Sequence, residues 1–168
     1  MAAVTCVLAP LSINIGPVPV TLATFAVMMS GLLLGPGFGA LSQSVYLLLG
    51  IAGLPVCAGW TPALPKLIGP TGGYLIGYIP LAIICGAIYR IGQNKKGSRK
   101  YTILVISMLA GTAVLYIIGT AWFCVVSNTR VIDALSICVL PFLPGDALKI
   151  AAAALITPQT EKFLHRSQ

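Results

Sequence analysis

Long apolar stretches, separated by glycine and proline, dominate the sequence. The stretch from Tyr101 to Val126 is 26 residues without a charge. Strands of a transmembrane β-barrel would instead alternate apolar and polar residues in segments of about ten. A helix of about 20 apolar residues crosses the roughly 30 Å hydrocarbon core of a bilayer. The pattern therefore predicts an all-α integral membrane protein.

The breaks between the apolar stretches divide the chain into a bundle of six transmembrane helices, forming a single membrane domain over residues 1–168. Gly35–Gly39 predicts a tight turn, and two longer loops are predicted, one from Pro55 to Gly69 and one carrying Asn128, Arg130 and Asp133. The six predicted helices are Met1–Ile13, Val18–Leu34, Ala40–Leu54, Pro70–Tyr89, Tyr101–Val126 and Pro141–Phe163. The first is anomalous, because about a dozen residues at about 1.5 Å each are too short to cross the bilayer.

Composition supports a lipid-facing surface. The chain is 58% hydrophobic and only 8% charged, and its mean hydropathy is +0.99. A soluble domain carries about 25% charged residues. With so few charges, the outer surface is expected to contact membrane lipids.

The basic residues predict the orientation of the bundle. The net charge of +7 is concentrated between the fourth and fifth predicted helices and in the C-terminal tail. Short loops rich in Lys and Arg remain cytoplasmic, so both termini are predicted to lie inside, N-in/C-in. Contact with anionic lipid headgroups accounts for these charges without a nucleic-acid partner. The residues concerned are Arg90, Lys95, Lys96, Arg99, Lys100, Lys162 and Arg166.

Asp146 and Lys149 are ionisable residues at membrane depth, near the outer end of the last predicted helix. Such residues are costly in lipid and usually face a cavity, where they carry function. Their i,i+3 spacing puts both on one helix face. They can bind a ligand there, or form a purely structural ion pair.

Other polar and aromatic residues are predicted at the same outer end. The segment Gly69–Tyr74 opens the fourth helix, with Trp60 and Lys66 just before it, and Thr21 and Thr24 lie near the start of the second. An aromatic-lined pocket with a few polar groups is the usual small-molecule site. Singly, the aromatic residues also fit an interfacial belt, and the glycines also fit helix packing.

Residues for catalysis or metal binding are sparse. His165 is the single histidine, the five cysteines are scattered, and no Walker A motif occurs. The cysteines form no spaced metal-binding pattern. We therefore expect a binding protein, not an enzyme, with no metal site.

Three ordered stretches carry a resemblance to a known family. They are Gly16–Thr24 with Gly31–Pro36; Tyr46–Gly50 with Gly53–Val56 and Gly69–Leu75; and Leu140–Asp146 with Lys149. In their order and spacing, along essentially the whole chain, they resemble BioY, the biotin-specific S component of energy-coupling-factor (ECF) transporters.

The resemblance implies a multi-pass protein of the bacterial plasma membrane that captures biotin from outside. It implies a six-helix bundle with both termini inside and no cofactor, biotin being the transported ligand. It also implies partners: a transmembrane T component and a pair of ATP-binding subunits.

The resemblance also implies site residues. Asp146 and Lys149 match the family's polar pair, which would contact either the ureido ring or the valeryl carboxylate of biotin. Trp60 falls in the loop expected to cover the pocket. The remaining matched positions are Thr71, Gly73, Tyr74, Thr21 and Thr24 for biotin, and Ala2, Cys6 and Ala9 as small residues that dock the T component.

Three alternatives remain open from the sequence. The chain could be an S component for another vitamin. It could be a small membrane enzyme acting on a lipid substrate, which would need clustered acids or histidines. It could be a structural membrane protein, in which Asp146 and Lys149 are only an ion pair.

Overall fold

The computed structural model describes residues 1–13, 18–93, 95 and 97–166, and its description of side chains ends at Thr160. Within these residues the chain forms seven helices and one two-stranded antiparallel ladder. In chain order the elements are α1 (Ala2–Leu8), β1 (Ser12–Ile13), β2 (Val20–Thr21), α2 (Ala23–Ile51), α3 (Ala63–Ile68), α4 (Gly72–Gly92), α5 (Ser98–Ser127), α6 (Val131–Cys138) and α7 (Leu143–Arg166).

Three helices among the described residues are long and apolar enough to cross a membrane: α2, α4 and α5. A fourth candidate arises if α6 and the first part of α7, which meet at an angle of 51°, count as one bent span. The predominantly helical, membrane-type architecture agrees with the sequence prediction. The seven helices differ from the six predicted, and the differences lie in α2, in the N-terminal segment and in the two longer loops.

Helix α2 contains both the second and the third predicted helices and folds back on itself at Gly35. The backbone there is not helical, with φ 80° and ψ 178°. Gln43 Nε2 lies 2.9 Å from Ser30 Oγ, although 13 residues of continuous helix would separate them by about 20 Å. The predicted turn after Leu34 therefore exists as a sharp break, with arms at residues 23–34 and 36–51.

Helix α4 packs closely against this hairpin. A Cβ atom at Gly86 would lie 2.6 Å from the backbone nitrogen of Pro36 and 2.7 Å from the carbonyl oxygen of Gly31. Only glycine permits such an approach, and small residues are the usual means by which helices pack closely in membranes. At the end of α4, the Arg90 guanidinium lies next to Gly35. The tip of the hairpin and the end of α4 are thus at the same end of the bundle.

The N-terminal segment differs from the prediction. The predicted helix Met1–Ile13 ends at Leu8, and the predicted helix from Val18 begins only at Ala23. Pro10 lacks a backbone N–H and cannot extend α1 by a regular turn. Beyond it, β-branched residues pair in β1 and β2, with Ile13 opposite Val20. Residues 14–17, which include the Gly16–Pro17 start of the motif, lie outside the described residues.

Both predicted longer loops contain a helix. Helix α3 lies within the Pro55–Gly69 segment, and α6 lies in the segment predicted as a loop around Asp133. Asp133 occupies the first turn of α6, where a carboxylate is favourable at the positive end of the helix dipole. Asn128 ends α5 in the left-handed conformation, φ 51°, which asparagine tolerates better than most residues.

The remaining helices agree with the prediction to within a few residues. Helices α4, α5 and α7 correspond to the predicted fourth, fifth and sixth helices. Among the described members of the basic cluster, Arg90 lies at the end of α4, Arg99 and Lys100 lie at the start of α5, and Lys95 lies between the two helices. Lys96 and the side chains of the C-terminal tail are outside the described part.

Candidate ligand-binding site

Asp146 and Lys149 form a buried ion pair in the first turns of α7. Lys149 Nζ lies 2.8 Å from Asp146 Oδ1, and their side chains are 8% and 6% exposed. The i,i+3 spacing predicted from the sequence brings them onto one face of the helix. Burying two charges costs several kcal/mol each, roughly, unless further hydrogen bonds satisfy them.

Two hydroxyl groups from other helices supply those hydrogen bonds. Lys149 Nζ donates to Thr24 Oγ1 on α2 at 2.9 Å, and Thr24 Oγ1 in turn lies 3.5 Å from Asp146 Oδ1. The Tyr116 hydroxyl on α5 donates to Asp146 Oδ2. Both carboxylate oxygens are therefore engaged. The network joins α2, α5 and α7 at the end of the bundle where α2 and α7 begin.

This network lines a cavity, hereafter the Asp146 chamber. Its other walls are mostly apolar or aromatic, as in small-molecule sites generally. The lining residues besides the network are Val18, Pro19, Thr21, Tyr74, Tyr78, Leu115 and Phe142.

A second cavity, hereafter the Lys66 chamber, adjoins the first. The two chambers share five lining residues, so they lie next to each other. The shared residues are Val18, Pro19, Thr21, Tyr74 and Tyr78. The Lys66 chamber is otherwise lined by Ala9, Tyr46, Cys57, Ala58, Lys66, Thr71 and Leu75.

Lys66 is the charged residue of the second chamber. It lies on α3, partly buried, and its Nζ donates to the carbonyl oxygen of Ala58 at 2.6 Å. Desolvation by burial lowers the pKa of the Lys66 ammonium, and the nearby Cys57 opposes that shift. The polar groups of the site are thus placed at two ends, with an ion pair in one chamber and a lysine in the other.

Tyrosines form the walls between these polar ends. Tyr74 and Tyr78, four residues apart, lie on the same face of α4, and the Tyr46 and Tyr78 rings lie 6.2 Å apart between centroids. The Tyr74 hydroxyl donates to the carbonyl oxygen of Cys138 at 3.3 Å. The Tyr46 hydroxyl donates to the carbonyl oxygen of Val56 at 3.2 Å. These rings offer flat apolar surface while their hydroxyls remain satisfied.

The structure brings together six of the eight residues that the sequence predicts for the ligand site. They line one or both chambers: Asp146, Lys149, Tyr74, Thr71, Thr21 and Thr24. Thr21 also accepts a hydrogen bond at 3.2 Å from the backbone N–H of Ala23, which begins α2.

Gly73 and Trp60 line neither chamber. A Cβ atom at Gly73 would lie 2.9 Å from the carbonyl oxygen of Ile118 and would meet the Trp122 side chain, so this glycine permits close packing of α4 on α5. Trp60 is 63% exposed. It lies in a loop and has a positive φ of 57°. In this structure it does not cover the pocket.

The three residues predicted to dock a partner lie at the N-terminus and face inward to different degrees. Ala2 and Cys6 on α1 are partly buried and pack against the core. Ala9 is 1% exposed and lines the Lys66 chamber. Ala9 is therefore a wall of the cavity here, and docking through Ala2 and Cys6 stays a prediction.

Sequence reasoning missed Tyr116, Tyr78 and Tyr46. Tyr116 lies in the middle of a long uncharged run, where a tyrosine gives no sign of a distant carboxylate partner. Tyr78 carried a usable signal, since its spacing of four from Tyr74 places it on the same helix face. Lys66 was noted near the site but not assigned to it.

The chain is similar to known proteins along nearly its whole length. The model of the BioY family matches residues 1–166. The probable biotin transporter BioY of Pyrococcus horikoshii is 36% identical, with 95% of this chain and 90% of the relative covered. The biotin transporter BioY of Thermotoga maritima is 38% identical, with 91% and 86% covered.

A solved structure extends the likeness to three dimensions. The S-component for biotin from an ECF-type ABC transporter, a crystal structure at 2.1 Å, superposes with a TM-score of 0.87. It shares 30% sequence identity, and the alignment covers 96% of this chain and 86% of that one. Sequence and fold thus agree along nearly the full length, and the chain is a member of the BioY family.

Proposed function

We propose that this membrane protein captures biotin from the outside and serves as the substrate-binding S component of an ECF-type ABC transporter. The observation that carries the proposal is the buried Asp146–Lys149 network, placed against an aromatic cavity in a chain whose relatives are named biotin transporters. The proposed activity is binding and uptake rather than catalysis.

The chemistry of the chambers suits a ligand such as biotin. Its fused rings would pack against tyrosine and apolar side chains, and its polar groups would meet the ion pair and its hydroxyl partners. An analogue that lacks a matching polar group would leave buried partners unpaired, which is the strongest basis for selectivity. Binding would thus combine apolar burial for affinity with a few polar contacts for recognition.

The proposed topology is a single membrane domain with six crossing segments, both termini inside, in the cell membrane. The fold-back at Gly35 supports this count, because it divides α2 into two arms that run in opposite directions. The described members of the basic cluster lie between the end of α4 and the start of α5. Arg90 on α4 is about 24 Å from Tyr74, at about 1.5 Å per residue, on the side away from the site. Lys and Arg favour the cytoplasmic side, so the site would open outward.

The proposed partners are biotin, a T component and two ATP-binding subunits, together with the surrounding lipids. The sequence contains no Walker A motif, so ATP hydrolysis would come from such subunits. The crystal structure with the same fold is described as a component of an ECF-type ABC transporter. Ala2 and Cys6 on α1 remain our candidates for docking the T component.

Two alternative functions are distinguished from biotin binding by the ligand that each would require. An S component for another vitamin would bind that vitamin in preference to biotin. A membrane enzyme acting on a lipid would need clustered acids, and the chain contains only three acidic residues.

The deciding experiment is calorimetric titration of biotin into the detergent-purified chain, with thiamine and riboflavin as controls. We expect stoichiometric binding of biotin alone. Asp146→Asn should abolish it, whereas the matched variant Asp133→Asn, at an exposed acid on α6, should bind as the wild type does. Because Asp146→Asn leaves Lys149 buried without its carboxylate, Thr24→Val serves as a milder second variant, expected to weaken binding.

Absence of biotin binding by a monodisperse, folded sample would overturn the substrate assignment. Tight binding of thiamine or riboflavin instead would reassign the chain to another vitamin. Unchanged binding in both Asp146→Asn and Thr24→Val would reduce the network to a structural ion pair.

A further inference from the structure

An apolar groove, hereafter the α5–α6 groove, runs between the last turns of α5 and the length of α6. Its volume is about 510 Å³. The lining residues recur at intervals of three or four, so each helix contributes one continuous face. Several of them are exposed, so the groove opens to the surroundings of the bundle. The main lining residues are Ile117, Ala121 and Cys124 on α5 and Val131, Leu135 and Val139 on α6.

The length of α5 places this groove where lipid chains meet their headgroups. The charge-free run from Tyr101 to Val126 is 26 residues, about 39 Å of helix at about 1.5 Å per residue. Even at a usual tilt of about 20°, this run exceeds the hydrocarbon core of about 30 Å. Arg99 and Lys100 hold the start of α5 among the headgroups on one side. The far end of α5 therefore reaches the headgroups on the other side, and the groove runs from there into the hydrocarbon.

Arg130 supplies a positive charge at the mouth of the groove. It is exposed and directly precedes α6. Among the described side chains the only ion pair is that of Asp146 with Lys149, so the Arg130 guanidinium is free to bind an anion. Asp133 lies two positions before Leu135, about 200° around the helix, and so faces away from the groove.

The physics of a bilayer determines what fills such a groove. The hydrophobic effect does not close it, because lipid tails are as apolar as the side chains that line it. A concave surface left unfilled loses dispersion contacts along its whole lining. A flexible hydrocarbon chain restores those contacts, and a phosphate at the mouth is attracted by Arg130. The matching partner is therefore an apolar chain joined to an anionic headgroup.

We propose that the α5–α6 groove binds one acyl chain of an anionic phospholipid, whose headgroup phosphate is held by Arg130. This lipid site is separate from biotin binding, and its test needs no biotin. Tyr116 lines both the groove and the Asp146 chamber. The bound chain would thus pack against the tyrosine whose hydroxyl donates to Asp146.

The test is native mass spectrometry of the detergent-purified chain mixed with phosphatidylglycerol. We expect wild type to retain a phosphatidylglycerol molecule that Ala121→Leu, whose larger side chain fills the groove, holds about tenfold more weakly. Arg130→Gln should hold it about fivefold more weakly, which is the effect of one basic side chain near anionic lipid. Glycerol phosphate, the headgroup without its chains, should not be retained by wild type.

Two matched variants serve as controls and should retain the lipid as wild type does. Ala113→Leu makes the same change at an exposed alanine of α5 that does not line the groove, and Lys95→Gln removes an exposed charge near the opposite end of α5. Equal retention in wild type, Ala121→Leu and Arg130→Gln would overturn the proposal.

Three other results would also contradict it. Loss of the lipid in Lys95→Gln alone would place it at the basic residues between α4 and α5. Retention of glycerol phosphate by wild type would show that the acyl chain is not what binds. A wild-type dimer that dissociates in Ala121→Leu would assign the groove to a second copy of the chain.

Discussion

The hydroxyl of Tyr116 on α5 donates a hydrogen bond to Asp146 Oδ2, across 30 residues of sequence. Asp146 Oδ1 is held by Lys149 and Thr24, so Tyr116 controls the oxygen that these two leave free. It therefore fixes the rotation of the carboxylate. A ligand N–H that binds Asp146 meets an acceptor whose direction is already set, which lowers the entropic cost of binding.

We expect Tyr116→Phe to weaken biotin binding by about tenfold, roughly 1.4 kcal/mol. The ring is preserved, so the apolar wall of the chamber remains, and only the hydrogen bond to the carboxylate is lost. Isothermal titration calorimetry measures the change. Tyr101→Phe, at a half-exposed tyrosine near the start of α5, is the matched control and should bind as wild type does.

Equal affinities of Tyr116→Phe and wild type would show that the hydrogen bond from Tyr116 to Asp146 does not contribute to ligand binding. In that case the hydrogen bond would only join helices, and the variant would lower thermal stability without affecting ligand binding.

For Trp60, we predict a smaller role in ligand binding than the sequence analysis assigns to it. The resemblance places it in a loop that covers the pocket, yet the side chain is 63% exposed and lines neither chamber. We expect Trp60→Ala to change biotin affinity by less than about twofold, since few contacts with the site would be lost. A loss of tenfold or more by calorimetry would show that the ligand-bound loop rearranges to bring Trp60 over the cavity.

The polar part of the site was predictable because charge is so rare in this chain. With three acids in 168 residues, an Asp and a Lys one turn apart in an apolar helix stand out. Tyr116 could not be found in this way, because a tyrosine in an apolar run has many roles and its partner is set only by how α5 packs against α7. Gly73 was misleading for a related reason: glycine serves both close ligand approach and close helix packing, and its contact with Trp122 appears only in three dimensions.

The fold was predictable where apolar length decides it. Helices α4 and α5 followed from uninterrupted apolar runs. The structure of the segment before Ala23 could not be predicted in this way, because strands of two residues are too short to show the alternation of apolar and polar residues that indicates a strand. Helix α6 was missed since the acid and the polar residues around Asp133 resemble a loop, although that acid stabilises the start of a helix.

Gly35 is expected to be irreplaceable at the tip of the α2 hairpin. Its φ of 80° and ψ of 178° belong to a region that essentially only glycine occupies. A Cβ atom there would also lie 2.7 Å from Arg90 Nη2. We expect Gly35→Ala to lower the free energy of unfolding by about 1–3 kcal/mol, measured as a lower thermal midpoint in detergent.

Gly37→Ala is the control for this prediction, since a Cβ atom at Gly37 would have nothing within 4 Å. It should melt close to wild type. Similar midpoints for the two variants would show that the hairpin tip adjusts to a side chain without strain.

The final prediction concerns the pH dependence of binding. Desolvation lowers the pKa of the Lys66 ammonium below its ordinary value, which is about 10.4. The titratable groups that line the chamber with it are Cys57, Tyr46, Tyr74 and Tyr78. Burial raises the pKa of the Cys57 thiol. Only protonated Lys66 attracts a carboxylate, so the affinity for biotin should fall as pH rises through the lowered pKa of Lys66.

Titrations of biotin and its methyl ester from about pH 7 to about pH 10 would measure this effect, spanning the range below the ordinary lysine pKa. Biotin binding should weaken across the range, while binding of the ester stays level. Lys66→Arg should remove the dependence on pH, because a guanidinium stays charged throughout. Should Lys66→Arg lose affinity for biotin over the same pH range as wild type does, a group other than Lys66 would be the one that holds the carboxylate.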